Sequence, residues 1–124
     1  MKAYRKGRDF ELEIAKDLRE SGLDPLAKRM PRSGAIETLD ADILTQLPVN
    51  FELKNQKSWS IHEWYAQALN AKKQNEIAVV VAKRHLDQSY AFLSWKDFVQ
   101  LMIYAKSGGW TQELQYSKRR QVNK

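Results

Sequence analysis

Residues 41–55 read ADILTQLPVNFELKN. In the second half of this segment Val49, Phe51 and Leu53 alternate with Asn50, Glu52 and Lys54. Period-two alternation predicts a strand over 49–55 with one apolar and one polar face. The first half, Ala41 to Leu47, predicts another strand, and Leu47-Pro48 predicts a tight turn between the two. The two strands are expected to pair, which would bring Asp42, at the head of the apolar Ile43-Leu44, near Glu52 across the ladder. Glu52 and Lys54 share a strand face, two residues and roughly 6–7 Å apart.

Upstream, Phe10, Ile14 and Leu18 recur every four residues with Ala15 alongside, predicting a helix over 9–21 that stops at Ser21-Gly22. A short strand is expected at 26–30 after Pro25, then a loop at 31–34. Downstream, a helix is expected over 61–75 with Ile61, Tyr65, Ala68 and Leu69 on one face. The valine-rich run 77–82 predicts a strand covered on both sides, and 90–93 a further short strand. A last helix follows Ser94, an N-cap with Asp97 three residues on, with Phe98, Leu101 and Met102 facing inward and Gly108-Gly109 at its end. The order is helix, three strands, helix, two strands, helix. It predicts an α/β fold in which a mixed central β-sheet is flanked by helices, as one domain over 1–112 with a basic tail over 113–124.

The composition agrees with a globular chain: of 124 residues, 43% are hydrophobic and 29% charged. The absence of cysteine excludes disulfides, thiolate zinc sites and cysteine nucleophiles. No apolar run approaches the roughly 20 residues of a membrane span, and the charged start, Met1-Lys2-Ala3-Tyr4-Arg5-Lys6, does not read as a signal peptide. A cytoplasmic protein without a membrane partner is expected. Lys and Arg total 21 against 15 acids, a formal charge of +6, which suits a polyanionic partner because neutralised phosphates release counterions. The basic residues cluster at Lys2, Arg5, Lys6 and Arg8, at Lys28, Arg29 and Arg32, and at 118–124.

The chemistry concentrates on few residues. Asp42, Glu52 and the intervening backbone carbonyl of Leu53 are hard oxygen donors of the kind Mg²⁺ takes. Lys54 beside them can orient a water or stabilise charge on a phosphate. Read alone, Glu52 and Lys54 could equally be an exposed ion pair; Asp42, ten residues upstream across a turn, favours the site. Asp40 is a rival to Asp42, but it precedes the apolar run rather than entering it. Glu11 falls on the inward stripe of the first helix, while Glu13 lies on the wet face with Lys16, Asp17 and Glu20. A buried acid needs a partner, and a metal or its bound water would serve; the alternative is an acid favoured by the helix N-terminus. Gln56 continues the Glu52 and Lys54 face. His62 and His85 lack ligand spacing and read as surface residues, as does Gln67. Trp59 and Trp64 fit core or subunit packing better than base stacking.

The ordered set Glu11, Asp42 and Glu52-Leu53-Lys54 resembles the active site of the PD-(D/E)XK nuclease superfamily. Within it the chain is most similar to archaeal-type Holliday-junction resolvases, through Arg5-Lys6-Gly7, Arg32-Ser33-Gly34, Asp42-Ile43-Leu44, Phe51-Glu52-Leu53-Lys54 and the valines at 79–81. Ala41 stands where the superfamily's name has proline, and the segment after Lys54 departs from the archaeal pattern. The resemblance implies a restriction-endonuclease-like fold and a Mg²⁺-dependent DNA endonuclease, with Mn²⁺ as a substitute metal. It implies that Asp42, Glu52 and the Leu53 carbonyl bind the metal, that Glu11 assists and that Lys54 positions the nucleophile. Arg5, Lys6, Arg8, Arg29, Arg32 and Ser33 would contact the nucleic-acid backbone. Branched DNA, a four-way junction above all, is the expected substrate, and its two-fold symmetry suits a homodimer. The competing readings are a nuclease of the same chemistry that nicks, trims ends or restricts, and a catalytically silent nucleic-acid-binding module. Retention of both acids and Lys54 argues against the last.

Overall fold

The computed structural model of the chain describes residues 2–30 and 42–109, with side chains from Lys6 onward. The loop at 31–34 with Arg32 and Ser33, the rival Asp40, the start of the strand expected from Ala41 and the tail over 113–124 lie outside the described residues. In chain order the elements are α1 (Lys2–Glu20), β1 (Lys28–Arg29), β2 (Ile43–Leu44), β3 (Val49–Asn55), α2 (Ile61–Ala71), β4 (Ile77–Lys83), β5 (Tyr90–Phe92) and α3 (Trp95–Ser107). This is the expected order. They fall into two compact units, one ending at Leu93 and the other beginning at Ser94.

In the first unit β3 and β4 run parallel in a seven-residue register from Val49↔Ile77 to Asn55↔Lys83, and β5 pairs antiparallel with β4. The sheet is therefore mixed, and α2 supplies the crossover that a parallel pair requires. Alternation assigns the two faces. Val79 and Val81 pack with Phe10, Ile14, Ala15 and Leu18 of α1, joined by Val49, Phe51 and Leu53. Ala78, Val80 and Ala82 pack with Trp64 and Ala68 of α2. The continuous apolar run in β4 thus has a physical cause: five consecutive residues, 78–82, are buried, because a helix covers each side.

Four expectations need correction. The first helix begins at Lys2, well before residue 9; its opening turns carry basic residues and Gly7, so no apolar stripe announced them. It ends as read, with Gly22 at φ +84° providing the left-handed stop. The strands flanking Asp42 and β3 do not form a ladder. β2 pairs with β1, with Lys28 opposite Leu44 and Arg29 opposite Ile43, while the ladder partner of β3 is β4. Residues 45–47 bond elsewhere: the carboxylate of the buried Asp24 accepts from the Thr45 hydroxyl and from the Gln46 N–H at 2.8 Å, and Thr45 Oγ1 accepts from the Leu47 N–H at 3.1 Å. The second helix ends at Ala71 rather than 75.

The last correction concerns α3. Ser94 caps it as expected, its Oγ accepting from the Asp97 N–H at 3.1 Å, and Gly108 follows its end. None of its residues is buried, however, so Phe98 and Leu101 do not line an inner face. Among the described residues no helix is long and apolar enough to cross a membrane.

Candidate active site

β3 holds the polar residues in place through its neighbours on each side. Even-numbered residues bond toward β4: the Gln56 N–H donates to the Lys83 carbonyl at 3.1 Å, and the Pro48 carbonyl accepts from the Ile77 N–H at 3.0 Å. The amide and carbonyl of a strand residue point to the same side, and the side alternates along the strand. The Leu53 N–H and carbonyl therefore both face the edge away from β4. There the Asp42 carboxylate accepts the Leu53 N–H through Oδ2 at 2.8 Å. Asp42 is itself held by its backbone carbonyl, which accepts from the Met30 N–H at 3.1 Å. The expected neighbourhood of Asp42 and the Glu52-Leu53-Lys54 segment exists, built by a side-chain hydrogen bond instead of a ladder.

Glu52 and Lys54 project to the α2 side, opposite Val80 and Ala82 in the register. Lys54 Nζ lies 3.4 Å from Glu52 Oε2, and both side chains are mostly sheltered, at 20% and 17% exposure. The ammonium also stands 5.7 Å from the centroid of the Trp64 ring, whose face favours a cation. Trp64 is buried and belongs to the core, as the sequence favoured. Trp59 is half-buried, donates from Nε1 to the Gln56 carbonyl at 2.9 Å and meets Tyr90 and Phe92 edge-on.

Glu11 is 8% exposed, on the inward stripe where the helical phase put it. Its partner is Arg29, whose Nε donates to Oε1 at 2.8 Å. That pairing engages Arg29, which the sequence also offers as a nucleic-acid contact, through Nε. Glu13 is on the exposed face and pairs with Lys83 at 2.8 Å. Among the described residues no three acidic or histidine side chains gather into a metal cluster. A set of Asp42, Glu52 and the Leu53 carbonyl needs only two carboxylates, with the backbone of β3 supplying the third oxygen. This donor set fits a small hard cation, which completes its shell with water.

Lys6 is half-buried and Arg8 exposed, the latter 3.6 Å from Asp9; the Arg5 side chain lies outside the described residues. Gln56 sits just past the end of β3, exposed. His62, His85 and Gln67 are exposed, as expected. Sequence reasoning missed Arg29 as the partner of Glu11, because pairs separated by eighteen residues leave no local pattern. It also missed Asp24, whose carboxylate is held below the ordinary value by the Thr45 hydroxyl first and the Gln46 N–H second. An Asp before Pro25 reads only as a turn.

A family model described as "phage putative PDDEXK endonuclease" matches residues 2–123. No curated protein and no solved structure matches the chain.

Proposed function

Because the chain belongs to the phage PDDEXK endonuclease family, we propose that it is a Mg²⁺-dependent DNA endonuclease that hydrolyses phosphodiesters and prefers branched DNA, acting as a Holliday-junction resolvase. The observation that carries the chemistry is the 2.8 Å bond from the Leu53 N–H to Asp42. It fixes Asp42 to the backbone between Glu52 and Lys54, on the edge of β3 where the Leu53 carbonyl also points.

In this reading Asp42, Glu52 and the Leu53 carbonyl hold the metal. Bound there, a divalent cation would polarise the scissile phosphate and lower the pKa of an attacking water. Lys54, steered by Glu52 and the Trp64 ring, directs its ammonium at the water or at the developing charge on phosphate. Glu11 acts one step removed, holding Arg29 in place on the strand beside β2. Gln56 extends the same edge. Arg5, Lys6, Arg8, Arg29, Arg32 and Ser33 supply phosphate contacts. A homodimer would present two such edges to the two-fold-related strands of a junction, and the excess of six positive charges suits a partner with several phosphates in reach.

The test is cleavage of labelled four-way, flap, single-stranded and linear duplex DNA, side by side, in Mg²⁺ and in EDTA. Cutting in Mg²⁺ or Mn²⁺, none in EDTA, and faster cutting of the four-way junction are expected. Undiminished cutting in EDTA would falsify the metal mechanism. Equal rates on all four substrates would remove the resolvase reading and leave the endonuclease.

A further inference from the structure

The carboxyl ends of β3 and β4 open onto two adjoining cavities of about 570 and 520 Å³. Lys54 and Lys57 wall the first, and Lys83, His85 and Leu86 the second. Lys6 and Asn55 line both, so the two adjoin along one groove-like surface, and the first reaches Lys54 of the candidate active site. The groove is basic. Of the acids along it, Glu13 is paired with Lys83 and Asp9 with Arg8.

The rim of this groove is a turn at 84–87, closed by the Asp87 N–H donating to the Arg84 carbonyl at 3.0 Å. Its third residue is Leu86, at φ +62°, the one non-glycine with positive φ among the described residues. Turns of this kind place glycine or asparagine there, because a Cβ is disfavoured in the left-handed region. Leu86 is also 88% exposed, so its side chain contributes almost no burial in return. An apolar residue that is costly in backbone and unrewarded in packing has no folding rationale, and such outliers mark ligand-contacting positions.

We infer that Leu86 is a wedge that packs against a nucleobase beside the cleaved phosphodiester, while Lys6, Lys57 and His85 hold the flanking phosphates of the same strand. The inference rests on the endonuclease reading and narrows its substrate to DNA that has, or yields, an unstacked base next to the cut. A nucleic-acid strand is the occupant that matches both halves of the groove. Its phosphates complement the lysines, and an apolar side chain at the rim suits the face of a base. A branch point, where stacking is already interrupted, meets the wedge at lower cost than an intact duplex.

Leu86→Asn and Leu86→Gly separate this role from a structural one, because both suit a positive φ and neither forfeits buried surface. The full chain is bound, in EDTA, to a thymine-rich four-way junction and to linear duplex of the same sequence. Permanganate reactivity then reports unstacked thymines. Wild type should expose thymines near the bound site. Both variants should lose that signal while binding within about threefold of wild type, since the phosphate contacts remain. Their Tm should be equal or higher. In Mg²⁺ their cleavage of linear duplex should fall about tenfold, the worth of one base contact, and cleavage of duplex with a bulged base should fall less. Unchanged reactivity and cleavage in both variants would overturn the wedge, as would a lowered Tm. A wild-type protein that cuts without unstacking overturns the wedge alone. One that unstacks without cutting keeps the wedge and overturns the endonuclease reading.

Discussion

β3 and β4 are the same length, run in the same direction and match residue for residue, yet they do opposite things. At three alternate register positions Asn50 faces Ala78, Glu52 faces Val80 and Lys54 faces Ala82. On β4 these residues are wholly buried under α2, at 0% exposure. On β3 Glu52 and Lys54 keep some exposure. The difference follows from position in the sheet. β4 is hydrogen-bonded on both edges and packed on both faces, so any polar side chain there would be buried without water. Among the described residues β3 is hydrogen-bonded by a strand only on the β4 side, and on its other edge the Leu53 N–H donates to Asp42 while the Leu53 carbonyl points the same way. One strand builds the scaffold; its neighbour, paired to it along seven residues, carries the proposed site.

That contrast can be broken directly. Asp42→Asn and Glu52→Gln should each lower cleavage about a thousandfold or more, since one lost metal ligand removes several kcal/mol of transition-state stabilisation. Both should leave Tm nearly unchanged. Asparagine still offers an oxygen to the Leu53 N–H, so a drop in rate would not be a failure to fold. Val80→Ala should do the reverse: a loss of about 1–3 kcal/mol in stability from the cavity, with near-normal rate per folded molecule. Retention of more than about a tenth of the rate in either acid variant would remove it from the site, because that loss is under the 1.4 kcal/mol a tenfold change represents.

How far the sequence could be read depended on how local the cause was. The polar face of β3, the doubly buried run of β4 and the Ser94 cap follow from spacing within one element, and each was legible. The partner of β2 was not, because a Pro after Leu47 suggests a hairpin with equal force whether or not the strands then pair. Thr45 and Gln46 bond Asp24 instead, from a loop twenty-one residues before Thr45. Glu11 shows the same limit: its inward direction is written in helical phase, but its partner, Arg29, is a tertiary fact. Leu86 gave no signal, since neither a φ angle nor an exposure can be read from a lone leucine in a polar turn.

The two acids of α1 sharpen the contrast between buried and exposed positions at smaller scale. Glu11 and Glu13 each hold a cation at 2.8 Å, but the Glu11 side chain is 11% exposed and that of Glu13 45%. Glu11→Gln leaves a sheltered Arg29 short of its counter-charge and should cost about 1–3 kcal/mol of stability. The rate should fall as well, by about tenfold, through the displaced arginine. Glu13→Gln breaks a pair open to water on one side and should cost well under about 1 kcal/mol, with cleavage unaltered. Urea unfolding and a cleavage assay on the same samples decide it. Equal losses in the two variants would mean that burial of Glu11 has no bearing on the site.

The smallest expected effect lies at Asp24 and is read by pH. Its carboxylate accepts from Thr45, Gln46 and Leu26, and its pKa is lowered from 3.8, mainly by the Thr45 hydroxyl and then the Gln46 N–H. A group with a folded pKa below its unfolded one contributes stability that is present above the unfolded value and lost as pH falls through the folded value. The contribution should therefore be complete at neutral pH and fade on acidification below 3.8. Asp24→Asn removes the charge and weakens the tie between the loop before β1 and residues 45–46. Its Tm should lie below wild type at about pH 6, and the gap should narrow as both are acidified below 3.8 and the wild-type carboxylate takes up its proton. Calorimetry across that range measures the gap. A difference that stays constant with pH would show that the side chain's shape, and not its charge, holds β2 away from β3.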